Sequence, residues 1–395
     1  MLPVTQYVDR AGLIDLGWGH PAAWALPTEE WGGAVRAALA RFGSAALTYG
    51  NPTGPGPLVE WLADRLGRID GRRPGPEEVF VSAGASHALD LACAVLTRPG
   101  DVVLVDSPTY HLALRVIADH GVELVGAPAD EDGIDPDRTA ALLRRVQAGG
   151  RRAPMLYLVP TFANPTGDCL PDRRRAALVE VAARSGTVLV EDDTYRELAY
   201  DARAPASLWS LAAGTGVLRI GSFSKTVAPG LRLGFLTGPR SFVQTLADRG
   251  AVDSGGGVNH TNAMAMTAFG ESGGYDRHLA RLLAGYRAQR DALVGALREL
   301  LAAADLRVPG GGWFGWLRLP DWAPAGRLLV HAERNGTSFL PGTAFYAPAS
   351  THWGTDHRPV ADRRLRLSFS RHDPPLLVEA TRRLALALDQ VADTG

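Results

Sequence analysis

The chain has 395 residues, 46% of them hydrophobic and 21% charged, and 41 Lys and Arg against 42 Asp and Glu give a formal net charge of −1. That balance belongs to an ordinary globular protein, long enough for two domains, with no global attraction to nucleic acid or to an anionic membrane. Two cysteines, Cys93 and Cys169, are too few for a disulfide framework or a thiolate metal cluster, which fits a reducing compartment.

The first residues, Met1 to Tyr7, lack the basic and apolar regions of a signal peptide, and no apolar run approaches membrane-spanning length. The expected location is therefore the cytoplasm. Residues 14–21, with Gly17, Trp18 and Gly19, read as an extended loop. A helical run follows at 29–42, then a Gly- and Pro-rich stretch at 47–56, then a helix at 58–67.

From residue 79 short apolar runs alternate with helical segments. Strands are expected at 79–81, 102–105, 123–126, 155–159, 187–190, 217–220 and 233–237. Helical spacing fills 87–97, 111–120 and 172–185, with Arg173, Arg174 and Arg175 read as a solvated face of the last. The strands are continuous apolar runs, as in strands covered on both faces. The pattern predicts an α/β fold with a mostly parallel, doubly wound sheet.

A long helix is expected from 275 to 304, its stripe formed by Leu279, Leu282, Leu283, Tyr286, Leu293, Leu297 and Leu300. Strands at 313–317 and 365–369 and a helix at 375–391 complete a smaller α+β domain. The expected division is an N-terminal segment, 1–45, that joins the small domain; a large domain, 46–275; and a bridging helix with the small C-terminal domain, 276–395. Ligands on such a sheet collect at the carboxyl ends of its strands.

The candidate residues lie at those ends. Lys225 is the one lysine of the chain; the other 40 cations are arginines. An amine can be deprotonated and can form an imine with a carbonyl, and a guanidinium can do neither at working pH. Lys225 stands in Gly221-Ser222-Phe223-Ser224-Lys225, with Arg232 seven residues on. A carbonyl-binding amine beside phosphate-binding groups is the requirement of a pyridoxal-phosphate enzyme.

Other motifs add to this. Gly84-Ala85-Ser86 turns from a strand into a helix and offers free N–H groups to a phosphate. Tyr110 follows the next strand and can present a flat face to a heteroaromatic ring. Asn164, before Pro165, can donate to a phenolate oxygen. Asp192 ends an apolar strand and can keep a pyridine nitrogen protonated, with Tyr195 three residues on. Arg366 can hold a carboxylate. Taken singly, each has a plain explanation: a strand-to-helix turn, a core tyrosine, an Asn-Pro turn, a helix cap by Asp192 or Asp193, or a surface arginine.

In the order of these motifs the chain resembles the fold-type-I pyridoxal-phosphate enzymes, in the class I/II aminotransferase family, and most the 2-aminoadipate and valine–pyruvate type branch. The resemblance rests on Asn164-Pro165-Thr166-Gly167 and on Ser222 to Thr226 with Pro229, Gly230, Arg232 and Gly234. Tyr275 to His278 and Arg287, Arg290 and Asp291 also resemble that branch. It implies that Lys225 carries the cofactor as an aldimine and shuttles the substrate proton. Asp192 would pair with the pyridinium, Asn164 and Tyr195 would hold the phenolic oxygen, and Tyr110 would stack on the ring. Ala85, Ser86, Ser222, Ser224 and Arg232 would hold the phosphate, joined by Tyr49 across a homodimer. Gly19, Asn164 and Arg366 would receive the substrate.

The implied activity moves an amino group between an L-amino acid and a 2-oxo acid, as part of biosynthesis. Ala85, Ser86 and His87 depart from the usual phosphate turn, and Trp18 and Trp313 are candidates to narrow the pocket. Two alternatives use the same residues. One is another pyridoxal-phosphate reaction, such as an oxidase, a decarboxylase, a γ-substitution or a ring-forming enzyme. The other is the sensing module of a DNA-binding regulator, for which this sequence leaves no room ahead of its first segment.

Overall fold

The computed structural model describes residues 10–348, 353 and 358–393. The reading of residues 1–7 falls outside the described residues. Helices α1 (Thr28–Phe42) and α2 (Gly56–Asp70) precede seven strands. These are β1 (Val79–Ser82), β2 (Val102–Val105), β3 (Glu123–Gly126), β4 (Met155–Leu158), β5 (Val188–Asp192), β6 (Val217–Ser222) and β7 (Gly234–Thr237).

The strands form one sheet in the order β1-β7-β6-β5-β4-β2-β3. Only β7 runs against its neighbours, β1 and β6; the other pairings are parallel. The reversal follows from the link between β6 and β7. Residues 223–233 hold only a turn at 223–227 and the short turn Pro229–Leu231, and no crossover helix, so the chain has to come back antiparallel.

Both faces of the sheet are covered, as continuous apolar strands require. Along β2 and β4, Val103, Val105, Met155 and Tyr157 pack with helices α3 (Ala85–Leu96) and α4 (His111–Ala118). The alternate residues Val102, Leu104, Leu156 and Leu158 pack with α5 (Pro136–Ala148) and α6 (Asp172–Ser185). The period of two in side-chain direction gives each strand two buried faces.

One expectation fails on α6. Arg174 and Arg173 reach solvent-facing acids, but Arg175 is 0% exposed. It lies on the inward stripe with Leu178, Val181 and Ala182, where its guanidinium donates to the carbonyls of Leu170 and Pro160 and to Thr161 Oγ1. Helical spacing, not charge, set which arginine went inside.

Helix α7 (His260–Glu271) packs against α1, and α8 (Gly274–Leu300) leads to the C-terminal part. There β8 (Asp305–Leu306), β9 (Phe314–Arg318), β10 (Leu340–Pro341) and β11 (Arg364–Ser368) form an antiparallel sheet in the order β8-β9-β11-β10. Helices α9 (Ala325–Arg334) and α10 (Pro374–Asp393) cover it, with α10 along α8. Near the start of the chain, Ile14–Asp15 pairs in parallel with Thr337–Ser338. That pairing brings Gly17, Trp18 and Gly19 to the edge of the large sheet's carboxyl ends.

Candidate active site

At the end of β1 the chain turns through Gly84 at φ +89, a conformation costly for any residue with a Cβ. Added there, a Cβ would lie 2.8 Å from Arg232 Nη2. No side chain caps α3, so the N–H groups of its first turn are open to an anion, and Ala85 and Ser86 line the cavity there. Arg232 closes over the turn, donating to Ala83 O and Pro229 O, both at 3.1 Å, and makes no ion pair among the described residues. Gly234 opposite is glycine because a Cβ would meet Gly221 O at 2.8 Å and Gly84 Cα at 2.9 Å.

Ser222, the last residue of β6, accepts from the Ser224 N–H at 3.1 Å and shapes the turn that delivers Lys225. The amine of Lys225 lies 4.5 Å from the centre of the Trp313 ring and 5.8 Å from that of Tyr195. Burial lowers it to about 8; Arg366 and Arg232 push the same way and Asp192 opposes.

Asp192 ends β5. Its Oδ2 accepts from Tyr157 Oη at 2.8 Å, and burial raises its carboxyl against the hydrogen bonds of Tyr157 and Thr194. Glu191 and Asp193 face the other side of the sheet. Glu191 accepts from the Leu208 and Trp209 N–H groups, both at 3.1 Å, and Asp193 pairs with Arg219 at 2.8 Å and with Arg196. No helix starts at Asp192 or Asp193, so neither is a helix cap.

Arg366 sits on β11 between Trp316 and Leu340 and is 1% exposed. It is not the surface arginine that its neighbours Arg363 and Arg364 suggested. It donates to Asn164 Oδ1 at 2.6 Å and to Gly17 O, and its Nε has no partner. No carboxylate pairs with it among the described residues, and burial lowers it to about 10. The phenol of Tyr195 is raised, mainly by burial, with Arg366 and a hydrogen bond with Asn164 opposing.

These groups line one cavity of about 810 Å³. It brings together Gly19, Ala85, Ser86, Tyr110, Asn164, Asp192, Tyr195, Ser222, Ser224, Lys225, Arg232 and Arg366. Gly19 has no room for a side chain, since its Cβ would meet Phe314 Cζ at 2.6 Å. Tyr49 lies outside the cavity and is 84% exposed. Trp18 is part of the wall, whereas Trp313 is wholly buried behind Lys225 and does not line the cavity. His87 turns back to accept the Ala83 N–H at 3.1 Å and does not line it either.

Sequence reasoning missed Tyr157 and His111. The first is signalled only by the register of β4 on β5. His111 lines the cavity beside Trp18, with ring centres 6.0 Å apart, and burial lowers its imidazole to about 3.

Residues 12–384 match the family described as aminotransferase class I and II. The chain belongs to the class I and II aminotransferases. It is 34% identical over 395 residues to the 2-aminoadipate transaminase of Thermus thermophilus, covering 98% of this chain and 92% of that protein. Its fold matches the crystal structure of a multiple substrate aminotransferase from Thermococcus profundus with a TM-score of 0.89 at 27% identity, covering 98% and 94% of the two chains. It also matches the alpha-aminoadipate aminotransferase LysN from Thermus thermophilus, complexed with N-(5′-phosphopyridoxyl)-L-leucine, with a TM-score of 0.85 at 32% identity and coverages of 98% and 94%.

This class I/II aminotransferase has the fold-type-I architecture and falls in the 2-aminoadipate-like branch. Its cofactor is pyridoxal 5′-phosphate, and its substrates are amino acids and 2-oxo acids.

Proposed function

We propose that the 810 Å³ cavity holds the cofactor with its phosphate at the α3 turn and its ring nitrogen at Asp192, and that Arg366 grips the substrate α-carboxylate. The observation that carries this reading is the charge pattern along the cavity. Arg232 closes the turn where a Cβ on Gly84 would intrude, Asp192 lies buried in the wall, and Arg366 is a buried guanidinium with no carboxylate of its own. A buried unpaired cation is costly, and an incoming carboxylate removes that cost.

Pyridoxal phosphate supplies an electron sink for charge that develops at the substrate α-carbon. The chain supplies the rest. Ala85, Ser86, Ser222, Ser224 and Arg232 bind the phosphate. Asp192, oriented by Tyr157, keeps the ring nitrogen protonated; Asn164 and Tyr195 hold the phenolic oxygen; Tyr110 covers the ring. Lys225, whose amine is lowered to about 8, takes a proton from the α-carbon and returns it. Gly19 and its neighbours close over the substrate from the N-terminal segment.

We further propose a cytoplasmic homodimer that serves amino-acid biosynthesis. The exposed Tyr49 and Leu47, 84% and 68% accessible, support a face covered by a second copy, from which Tyr49 reaches the partner's phosphate site. The two free cysteines support a reducing compartment. The pairing of Ile14–Asp15 with Thr337–Ser338 supports joining the first residues of the N-terminal segment to the small domain, and the start of α8 at Gly274 supports the division at 275, whereas α1, within the same segment, packs against α7 of the large domain.

Product analysis tests the reaction class. Purified enzyme with an L-amino acid should form the matching 2-oxo acid beyond one equivalent of enzyme only when a second 2-oxo acid is supplied as acceptor. Conversion without an acceptor would move the assignment to an oxidase, a decarboxylase or a γ-substitution enzyme.

A further inference from the structure

Trp313 has no part in the reading above. It stands just before β9, at the end of a run of three glycines, and its position is fixed from several sides. The Gly312 N–H donates to Leu198 O at 2.9 Å, Tyr200 Oη donates to Gly312 O, and the Phe369 N–H donates to Trp313 O at 3.0 Å. The ring is wholly buried, edge-on to Tyr286 at 5.6 Å and to Tyr195 at 6.1 Å. Its face is turned to the amine of Lys225, 4.5 Å from the ring centre.

An indole face carries partial negative charge, and a cation within about 6 Å of its centre is attracted, most strongly where water is excluded. We propose that Trp313 is a positioning residue for Lys225: its ring carries the amine and favours the charged nitrogen over the neutral one.

The surroundings make this consequential. Arg366 and Arg232 both disfavour charge on the amine, and Asp192 favours it. Asp192 is shared, since its Oδ2 already accepts from Tyr157. Tyr195 presents its ring at the longer distance of 5.8 Å. Trp313 is thus the nearer aromatic face, and it is an uncharged group whose attraction does not depend on the protonation of another residue. Through Trp313, as through Arg366, the C-terminal part of the chain bears on how readily the amine of the large sheet gives up its proton.

This inference rests on the proposed role of Lys225, and the experiment separates the two. Cofactor-loaded enzyme is titrated with pH while its visible absorbance band, which reports protonation at the Lys225 nitrogen, is followed in the wild type, Trp313→Phe and Trp313→Leu. Thermal unfolding of each checks folding. A wild type that forms no visible band sinks the assignment of Lys225 itself. With the band present, the midpoint should fall by about one pH unit, a tenfold change, in Trp313→Leu and by a smaller step in Trp313→Phe. An unchanged midpoint in either folded variant overturns the proposal. So does a rise, which would mean that the ring acts by excluding water. Should Trp313→Leu fail to fold, Trp313→Phe keeps the ring volume nearly filled and decides alone.

Discussion

Arg366 Nη1 donates to Asn164 Oδ1 at 2.6 Å, joining β11 of the small sheet to the turn after β4 of the large one. The two residues are 202 apart in sequence, and the bond forms inside the cavity wall. On the proposed reading, the guanidinium that would meet the substrate is therefore held by a residue that would also reach the cofactor ring. Removing it should be felt in binding first. Arg366→Ala should lower kcat/KM for α-carboxylate substrates by about 30-fold to 5,000-fold, the loss of about 2–5 kcal/mol that follows truncation of a buried charge partner. Steady-state kinetics on an amino acid and on its 2-oxo acid check this. An unchanged KM would remove Arg366 from substrate binding.

Tyr157→Phe should weaken cofactor binding by about tenfold to a hundredfold while leaving the fold intact. The phenyl ring still fills the space between β4 and α3, and only the hydrogen bond to Asp192 Oδ2 is lost. A hydrogen bond to a charged acceptor is worth about 1.5–3 kcal/mol. Equilibrium titration with pyridoxal phosphate, beside thermal unfolding, separates this effect from a loss of stability.

Gly84→Ala should damage the phosphate end. The φ of +89 disfavours any Cβ, and the added atom would push Arg232 from the turn at a 2.8 Å approach. Strain of this kind costs about 1–3 kcal/mol. The cofactor affinity should fall further than that of Ser86→Ala, whose backbone donors remain. Comparing the two dissociation constants tests whether backbone or side chain does the holding.

Lys225 makes a stability prediction with a definite sign. Its amine ionises at about 8 in the fold and at 10.5 when free. Below pH 8 both states carry the proton and the fold bears the full cost of the charge. Between about 8 and 10.5 the unfolded chain holds more protons, so stability rises with pH and the cost disappears. The difference amounts to roughly 3–4 kcal/mol at about 1.36 kcal/mol per pKa unit. The cofactor-free Lys225→Met protein should therefore melt higher than the wild type at pH 7, by several degrees, and the gap should close by about pH 10.5. A gap that stayed constant with pH would show that packing, not charge, separates them.

Much of the site was legible in the sequence because its residues are chemically out of place. One lysine among 40 arginines, an aspartate ending an apolar strand and an Asn-Pro turn after another each break a local pattern. What was not legible depends on register and on which side of an element faces inward. Arg175 is buried and Arg173 exposed on the same helix, and charge count alone does not order them. Tyr157 looks like any strand tyrosine until β4 is laid beside β5 and its hydroxyl meets Asp192. Trp313 reads as a candidate to narrow the pocket, as a departure from the family pattern, yet the bend through Gly310, Gly311 and Gly312 places it behind the lysine. The place of β7 between β1 and β6 was hidden too, since sequence order says nothing about which edge a returning strand joins.

On the proposed reading, a single amine, that of Lys225, is the point where cofactor and chain are joined. Lys225→Ala, incubated with pyridoxal phosphate and freed of excess by gel filtration, should lack the pH-dependent visible band of the wild type and have no turnover with any amino acid and 2-oxo acid pair. Since the chain has no other lysine, no neighbouring side chain can take over the link. A variant that kept that band or its transamination would contradict the account.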